Sequence, residues 1–156
     1  MQGCCYISYG FRMKDIAKAS RGTSLFDSLR SFGLPEADYA VFGSGPLIVR
    51  GIIDATNDLD VVSRGAAWVK ACELGELVTL SEHSVDVVSL LDGAITIGRS
   101  WAYGNVDIDE LIDTAEVIDG LPFARLQHVV EYKRIAGRPK DREHLRLLEA
   151  SSHAPD

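Results

Sequence analysis

The stretch FGSGPL, residues 42–47, decides how we interpret this chain, because two glycines flank a serine between a short apolar run and a proline. The residues before it, 38–42, stop at Gly43 and are typical of a buried strand. Pro46 suits the first turn of a helix, which the apolar residues after it continue. The glycines therefore lie between a predicted strand and a predicted helix, where backbone N–H groups and a helix N-terminus favour an anion.

Two aspartates follow this loop after thirteen intervening residues, as Asp58-Leu59-Asp60 in a strand-like segment. Side chains two apart on a strand leave the same face, about 7 Å apart. A third acid, Asp86, lies in a β-branched run, where an unpaired buried carboxylate is costly. Converging carboxylates share divalent cations in phosphoryl-transfer sites. We therefore expect Asp58, Asp60 and Asp86 to meet on one face of a sheet, and Asp86 on the opposite face would remove the catalytic interpretation.

Each of these features also has a purely structural interpretation. Gly-Ser-Gly is an ordinary strand-to-helix turn in many proteins. Asp-x-Asp alone is often a solvated strand edge, and Asp86 would be satisfied by an ion pair with Arg99 or Arg50. The functional interpretation gains from the order and spacing of the parts, with the glycine loop first, the paired acids next and the third acid on a later strand.

Length and composition limit the protein class. The chain has 156 residues, 46% of them hydrophobic and 25% charged, which indicates one folded globular domain. No apolar run reaches the roughly 18 to 20 residues of a membrane span, and we see no secretory signal pattern. Three cysteines give no disulfide framework, so the predicted location is cytoplasmic. We expect a flexible N-terminal extension over residues 1–12, a single domain over 13–150 and a flexible tail over 151–156.

The charge is unevenly distributed. The formal net charge is −7, which argues against extended nucleic-acid binding. Residues 133–146 nevertheless hold six basic side chains against two acidic ones, a local excess of +4. Within this segment Lys133 and Lys140 are candidate anion-binding residues, and the alternative for both is a solvated helix face.

The predicted elements give an α+β fold, with a mixed central sheet flanked by helices, because strands cluster in the middle of the chain and helices at its ends. A periodic apolar pattern predicts a helix over 24–32, and Asp119-Gly120 is a tight-turn dipeptide between two short strands. Residues 94–97 are predicted as an edge strand. Asp141 is expected to cap a last helix that continues through Ala150.

Together, Gly43-Ser44, Asp58, Asp60 and Asp86 resemble the core signature of the nucleotidyltransferase superfamily related to DNA polymerase beta, in particular its small bacterial single-domain members. A second segment is similar to the region near the C-terminus of many such proteins. It holds GLPFA at 120–124, Tyr132-Lys133-Arg134, and GRPKD at 137–141. The two matches span roughly residues 38–148.

The resemblance implies the nucleotidyltransferase fold and transfer of a nucleoside monophosphate from a nucleoside triphosphate to an acceptor hydroxyl, with release of pyrophosphate. Asp58 and Asp60 would bind two Mg²⁺ ions, for which Mn²⁺ is a substitute. Asp86 would bind the acceptor-side ion and help to deprotonate the hydroxyl. Gly43 and Ser44 would contact the triphosphate, and the two lysines would neutralise the pyrophosphate.

The acceptor in this interpretation is a small molecule or a protein, since no sizeable second domain is present to recognise a larger one. The gap between Ser44 and Asp58 is longer than is usual in small toxin–antitoxin members of the superfamily, which disfavours that subgroup. The alternative from another class is a non-catalytic partner, antitoxin-like or regulatory, that binds a nucleotide or a protein through the same cleft. A homo-oligomer is compatible with either.

Overall fold

The protein is an α+β protein with a seven-stranded mixed sheet. The structure is a computed structural model, and it describes residues 25–54, 57–101 and 104–153. The strands are β1 Tyr39–Phe42, β2 Leu59–Ser63, β3 Glu76–Leu80, β4 Val85–Leu90, β5 Ile95–Gly98, β6 Glu116–Ile118 and β7 Leu121–Phe123. The helices in these ranges are α1 over 25–31, α2 Gly45–Val49, α3 Gly65–Leu74, α4 Ile108–Asp113, α5 Leu126–Ala136 and α6 Pro139–Ser152.

The strand order is β3-β4-β5-β2-β1-β7-β6. β1 pairs antiparallel with β2, and β2 pairs parallel with β5. β5 continues antiparallel to β4, and β4 to β3. On the other side β1 pairs parallel with β7, which forms a hairpin with β6. β1 ends at the glycine loop and β2 begins at the paired aspartates, and these two strands lie side by side in the middle of the sheet.

Helices cover both faces of the sheet, and each face has its own apolar core. One core joins α1 and α3 to sheet residues such as Val41, Val61 and Ile97. The other joins α2, α4 and α5 to the opposite side of the sheet, where Phe42 and Val62 point. Side chains alternate between the two cores along each strand, as the strand period requires. In the described ranges, every helix falls short of the length and apolar character needed to cross a bilayer.

Most predicted elements are confirmed. α1 covers residues 25–31 of the helix predicted over 24–32, and β6 and β7 flank the predicted Asp119-Gly120 turn. The prediction of an edge strand over 94–97 is wrong, because β5 lies between β2 and β4. The predicted extension over 1–12 lies outside the described residues. α6 continues through Ser152, so the predicted flexible tail begins with two helical residues.

Candidate functional site

The glycine loop packs directly against the carboxylate of Asp60. Phe42, the last residue of β1, is the register partner of Asp60 in β2, so the loop that follows Phe42 lies beside that side chain. Gly43 has φ +59°, and a Cβ placed on it would lie 2.8 Å from Oδ2 of Asp60. Glycine is therefore required here both for the left-handed backbone and for the close approach. The loop and the aspartate form one structural unit.

Ser44 faces the C-terminal helices. It stands at the N-cap of α2, but its side chain makes no capping hydrogen bond. Its hydroxyl accepts a hydrogen bond from Nζ of Lys133 on α5 at 3.2 Å and lies 3.5 Å from Nδ1 of His144 on α6. The dipole of α2 contributes little, because the helix is only five residues long. The cationic side chains of α5 and α6, and not the helix N-terminus, therefore set the charge at this loop.

Lys133 is held in a buried ion pair. Its side chain is 1% exposed and its Nζ lies 3.3 Å from Oδ1 of Asp141, which is fully buried. Asp141 also accepts hydrogen bonds from Nε of Arg138 at 2.6 Å and from the Arg138 backbone N–H at 3.2 Å. Burial lowers the pKa of Lys133, and Asp141 opposes that effect only in part. Burial acts to raise the pKa of Asp141, but Arg138 and Lys133 outweigh it and the pKa is lowered.

Asp60 is the titratable group at the centre of this arrangement. Burial, together with the nearby carboxylate of Asp58, raises the pKa of Asp60 to about 6. Three cations from the C-terminal segment act in the opposite direction: Lys140, Arg138 and Lys133. Asp58 and these cations thus lie within electrostatic range of Asp60. Of the residues in the sequence prediction, the structure brings Gly43 against Asp60 and Ser44 against Lys133, and it places Asp58 and Lys140 within electrostatic range of Asp60.

Asp86 does not join them. Asp60 pairs with Thr96 of β5, and Thr96 pairs with Ser89 of β4, so these side chains share one face of the sheet. Asp86 is three residues along β4 from Ser89 and therefore points to the opposite face. It is also displaced by about 10 Å along the strand and by two strand spacings of about 4.8 Å. Its carboxylate accepts a hydrogen bond from the Thr79 hydroxyl at 2.7 Å and is exposed.

The predicted three-aspartate cluster is therefore wrong in its third member. A third carboxylate on the face of Asp60 would have to replace Thr96 or Ser89 in the neighbouring strands. Across the described ranges, no group of three or more His, Cys, Asp or Glu side chains is placed to hold a metal ion. The residues do not fit two ions shared with Asp86. They fit a single Mg²⁺ on Asp58 and Asp60, because Mg²⁺ often takes one or two carboxylates and completes its shell with phosphate oxygens and water.

Two residues of the arrangement were missed as site residues in the sequence. Asp141 was assigned only a capping role, which it has through the Arg138 N–H, but it also neutralises Lys133. His144 was placed on the surface, although its Nδ1 faces Ser44. Burial and the neighbouring Lys133 lower its pKa, which favours the neutral imidazole. A signal for both was present, since residues 141 and 144 are three apart on α6 and share one helix face.

The comparisons with known proteins add no relative to this description. No family model matches the chain, and the searches of curated proteins and of solved structures each return no match. The resemblance to nucleotidyltransferases therefore depends on the residues quoted above and on the geometry in which five aspartate, glycine and serine positions are now placed, with Asp86 excluded from the site.

Proposed function

We propose that this protein binds a nucleoside triphosphate together with one Mg²⁺ ion on a nucleotidyltransferase-like fold. The observation that carries the proposal is the meeting of the Gly43–Ser44 loop, the Asp60 carboxylate and the buried Lys133 ammonium at one end of β1 and β2. Carboxylates on one side and cations on the other suit a ligand that is a metal–polyphosphate complex.

Each residue of the proposed site has a separate role in this binding. Asp58 and Asp60 would hold the metal, which neutralises phosphate charge when it is bound. Ser44 would donate its hydroxyl proton to a phosphate oxygen. Lys133 and Lys140 would attract the remaining phosphate charge, and Asp141 keeps the Lys133 ammonium at a fixed place beside the loop. The absent Cβ of Gly43 lets the loop backbone lie against the Asp60 carboxylate, beside the place proposed for the metal.

Nucleotidyl transfer to an acceptor hydroxyl is the second candidate function. It is favoured by the repelling pair Asp58 and Asp60 beside a cationic loop, which is the arrangement that phosphoryl transfer uses for its metal. Asp86 on the opposite face removes the mechanism in which that residue deprotonates the acceptor, so only a transfer that does without Asp86 stays a candidate. For this reason binding, and not transfer, is the function that the geometry supports best.

Thermal unfolding with each of the four nucleoside triphosphates, with and without Mg²⁺, tests the binding proposal. A ligand at a hundred times its Kd stabilises by about 2.7 kcal/mol, which is roughly 5 to 10 °C in Tm for a chain of this size. We expect a gain of this order that requires Mg²⁺ and is lost in the double variant Asp58→Asn plus Asp60→Asn. Asp86→Asn, which removes the same kind of charge from the opposite face, is the matched control and keeps the gain.

Two results would contradict the proposal. One is the absence of any gain with all four triphosphates. The other is a gain that survives in Asp58→Asn plus Asp60→Asn but disappears in Asp86→Asn. Pyrophosphate release in the presence of candidate acceptors then separates transfer from binding. Release that persists in Asp86→Asn supports transfer without that residue, and no release with a bound nucleotide leaves the binding function alone.

A further inference from the structure

A cavity lies between α4 and α5, beside Phe42 and Tyr132. Its volume is about 110 Å³, and it opens to solvent. Phe42, Leu111, Tyr132 and Ile135 give it apolar walls. The Phe42 and Tyr132 rings pack against each other with centroids 5.2 Å apart, so they form a fixed aromatic wall. None of the residues assigned to the proposed phosphate site lines this cavity.

The polar groups of this cavity are mainly acidic. Asp107, Glu110 and Glu131 line it, and in the described part of the chain no lysine or arginine does. Asp107 is engaged as the N-cap of α4, where it accepts the backbone N–H of Glu110 at 3.1 Å. The carboxylates of Glu110 and Glu131 therefore set the charge that a ligand would meet. This sign of charge excludes phosphate and other anions as occupants.

His128 lines the cavity, but its unpaired ring nitrogen is not accessible from it. The side chain is 13% exposed, and its Nε2 atom is fully buried and has no hydrogen-bond partner among the described residues. Oε2 of Glu110 lies 3.6 Å from that atom, beyond hydrogen-bonding distance. An atom without accessible surface cannot be reached by a ligand in a cavity that opens to solvent. The carboxylates are therefore the groups that a ligand would meet.

The class of ligand follows from size, charge and wall chemistry. An apolar cavity of about 150 Å³ takes up a benzene-sized molecule, so 110 Å³ suits a group of only a few heavy atoms. Carboxylates together with aromatic walls bind ammonium groups through charge and cation–π attraction. A metal ion is a poorer match, because no group of three or more ligating side chains is gathered anywhere in the described ranges.

We propose that the cavity between α4 and α5 binds a small organic ammonium group, with Glu110 and Glu131 supplying the charge and the Phe42 and Tyr132 rings forming the wall. Phe42 and Tyr132 connect this cavity to the phosphate site, since each directly precedes a residue of that site, Gly43 and Lys133. Identifying the ammonium compound as an acceptor for transfer rests on the proposed function, whereas the binding itself does not.

The test is an NMR titration of the full chain without nucleotide and with a chelator present. The probe is ethanolamine, which is protonated at pH 7, and ethylene glycol is the uncharged comparison of similar size. We expect saturable amide shifts confined to residues 105–111 and 128–135 with ethanolamine and none with ethylene glycol. The double variant Glu110→Gln plus Glu131→Gln is expected to weaken ethanolamine binding roughly tenfold.

Glu149→Gln on α6 is the matched control, because it removes the same charge from an exposed position outside the cavity and leaves binding unchanged. Equal binding of ethanolamine and ethylene glycol would overturn the proposal. The same holds for equal affinity in the double variant and the control, for the absence of saturable shifts, or for equal shifts with Mg²⁺ alone. None of these outcomes depends on whether a nucleoside triphosphate binds, so the two proposals fail separately.

Discussion

Replacing Asp141 by asparagine gives the most direct test of the buried ion pair between Lys133 and Asp141 beside the proposed phosphate site. Asp141 is fully buried and Lys133 is 1% exposed, so Asp141→Asn leaves the Lys133 ammonium buried without its counter-ion. Removing one partner of a buried pair costs about 3 to 5 kcal/mol, because the remaining charge keeps its desolvation penalty. For a chain of this size that corresponds to a fall of roughly 6 to 20 °C in Tm.

The assay is urea unfolding followed by circular dichroism, with the m-value compared among variants to establish that the transition stays two-state. The control is Glu143→Gln, which breaks an ion pair with Arg146 on the same helix. That pair has a shorter N–O distance, 2.7 Å against 3.3 Å, but both side chains are more than half exposed. We expect no resolvable change in the Glu143→Gln midpoint, because water screens an exposed pair.

A double-mutant cycle then isolates the coupling between the two charges. Lys133→Met together with Asp141→Leu removes both charges of the pair. This double variant is expected to be less destabilising than the sum of the two single variants, because each single variant leaves one charge of the pair buried and the double variant leaves none. The reasoning is refuted if Asp141→Asn costs less than about 1 kcal/mol, or if the two single changes simply add. Either result would mean that Lys133 reaches solvent and does not depend on Asp141.

Three further predictions concern the loop and its aspartate. Gly43→Ala is expected to lower the free energy of unfolding more than Gly51→Ala, because both glycines have positive φ but only Gly43 approaches Asp60. It is also expected to abolish the Mg²⁺-dependent gain in Tm with a nucleotide. Equal effects of the two variants in urea unfolding and in thermal shift would contradict this. Ser44→Ala should cost about 1 to 3 kcal/mol in urea unfolding, because a proton of buried Lys133 loses its acceptor, and an unchanged midpoint would count against that hydrogen bond. The pKa of Asp60 is raised to about 6, so between pH 4 and 6 the native state holds a proton that the unfolded state has lost. The stabilising contribution of this proton is therefore fully present below pH 4, and it declines by up to about 3 kcal/mol as the pH rises through 6. Asp60→Asn should abolish this decline in a pH series.

Local patterns in the sequence predicted the parts of this fold that depend on neighbouring residues. The apolar periodicity over 24–32 and the Asp119-Gly120 turn are properties of a few consecutive residues, and both the helix and the turn are confirmed. The face of Asp86 depends instead on strand register. A shift of one residue moves every side chain of a strand to the other face, and the register of β4 is set by its pairing with β5, which the sequence pattern placed at an edge.

The candidate site shows the same division. The approach of Gly43 to Asp60 follows from two strands joined by one connection, and spacing along the chain was enough to suggest it. The pairing of Lys133 with Asp141 crosses the break between α5 and α6. The contact of Lys133 with Ser44 spans 89 residues of the sequence. Contacts of that sequence separation depend on how helices dock, which no local pattern records. His144 lies on the same face of α6 as Asp141, but its approach to Ser44 depends on that docking.

The buried pair also has a consequence for how the protein is made. Synthesis proceeds from the N-terminus at roughly 5 to 20 residues per second, and domains generally fold as units while the chain emerges. The sheet and α5 are complete before the residues of α6 are added, so a nascent chain that ends at Gly137 carries the lysine without the aspartate that neutralises it. Docking of Lys133 against the Ser44 loop is accordingly expected to be among the last events of folding, and a truncated chain should retain much of its sheet while α5 remains loosely docked.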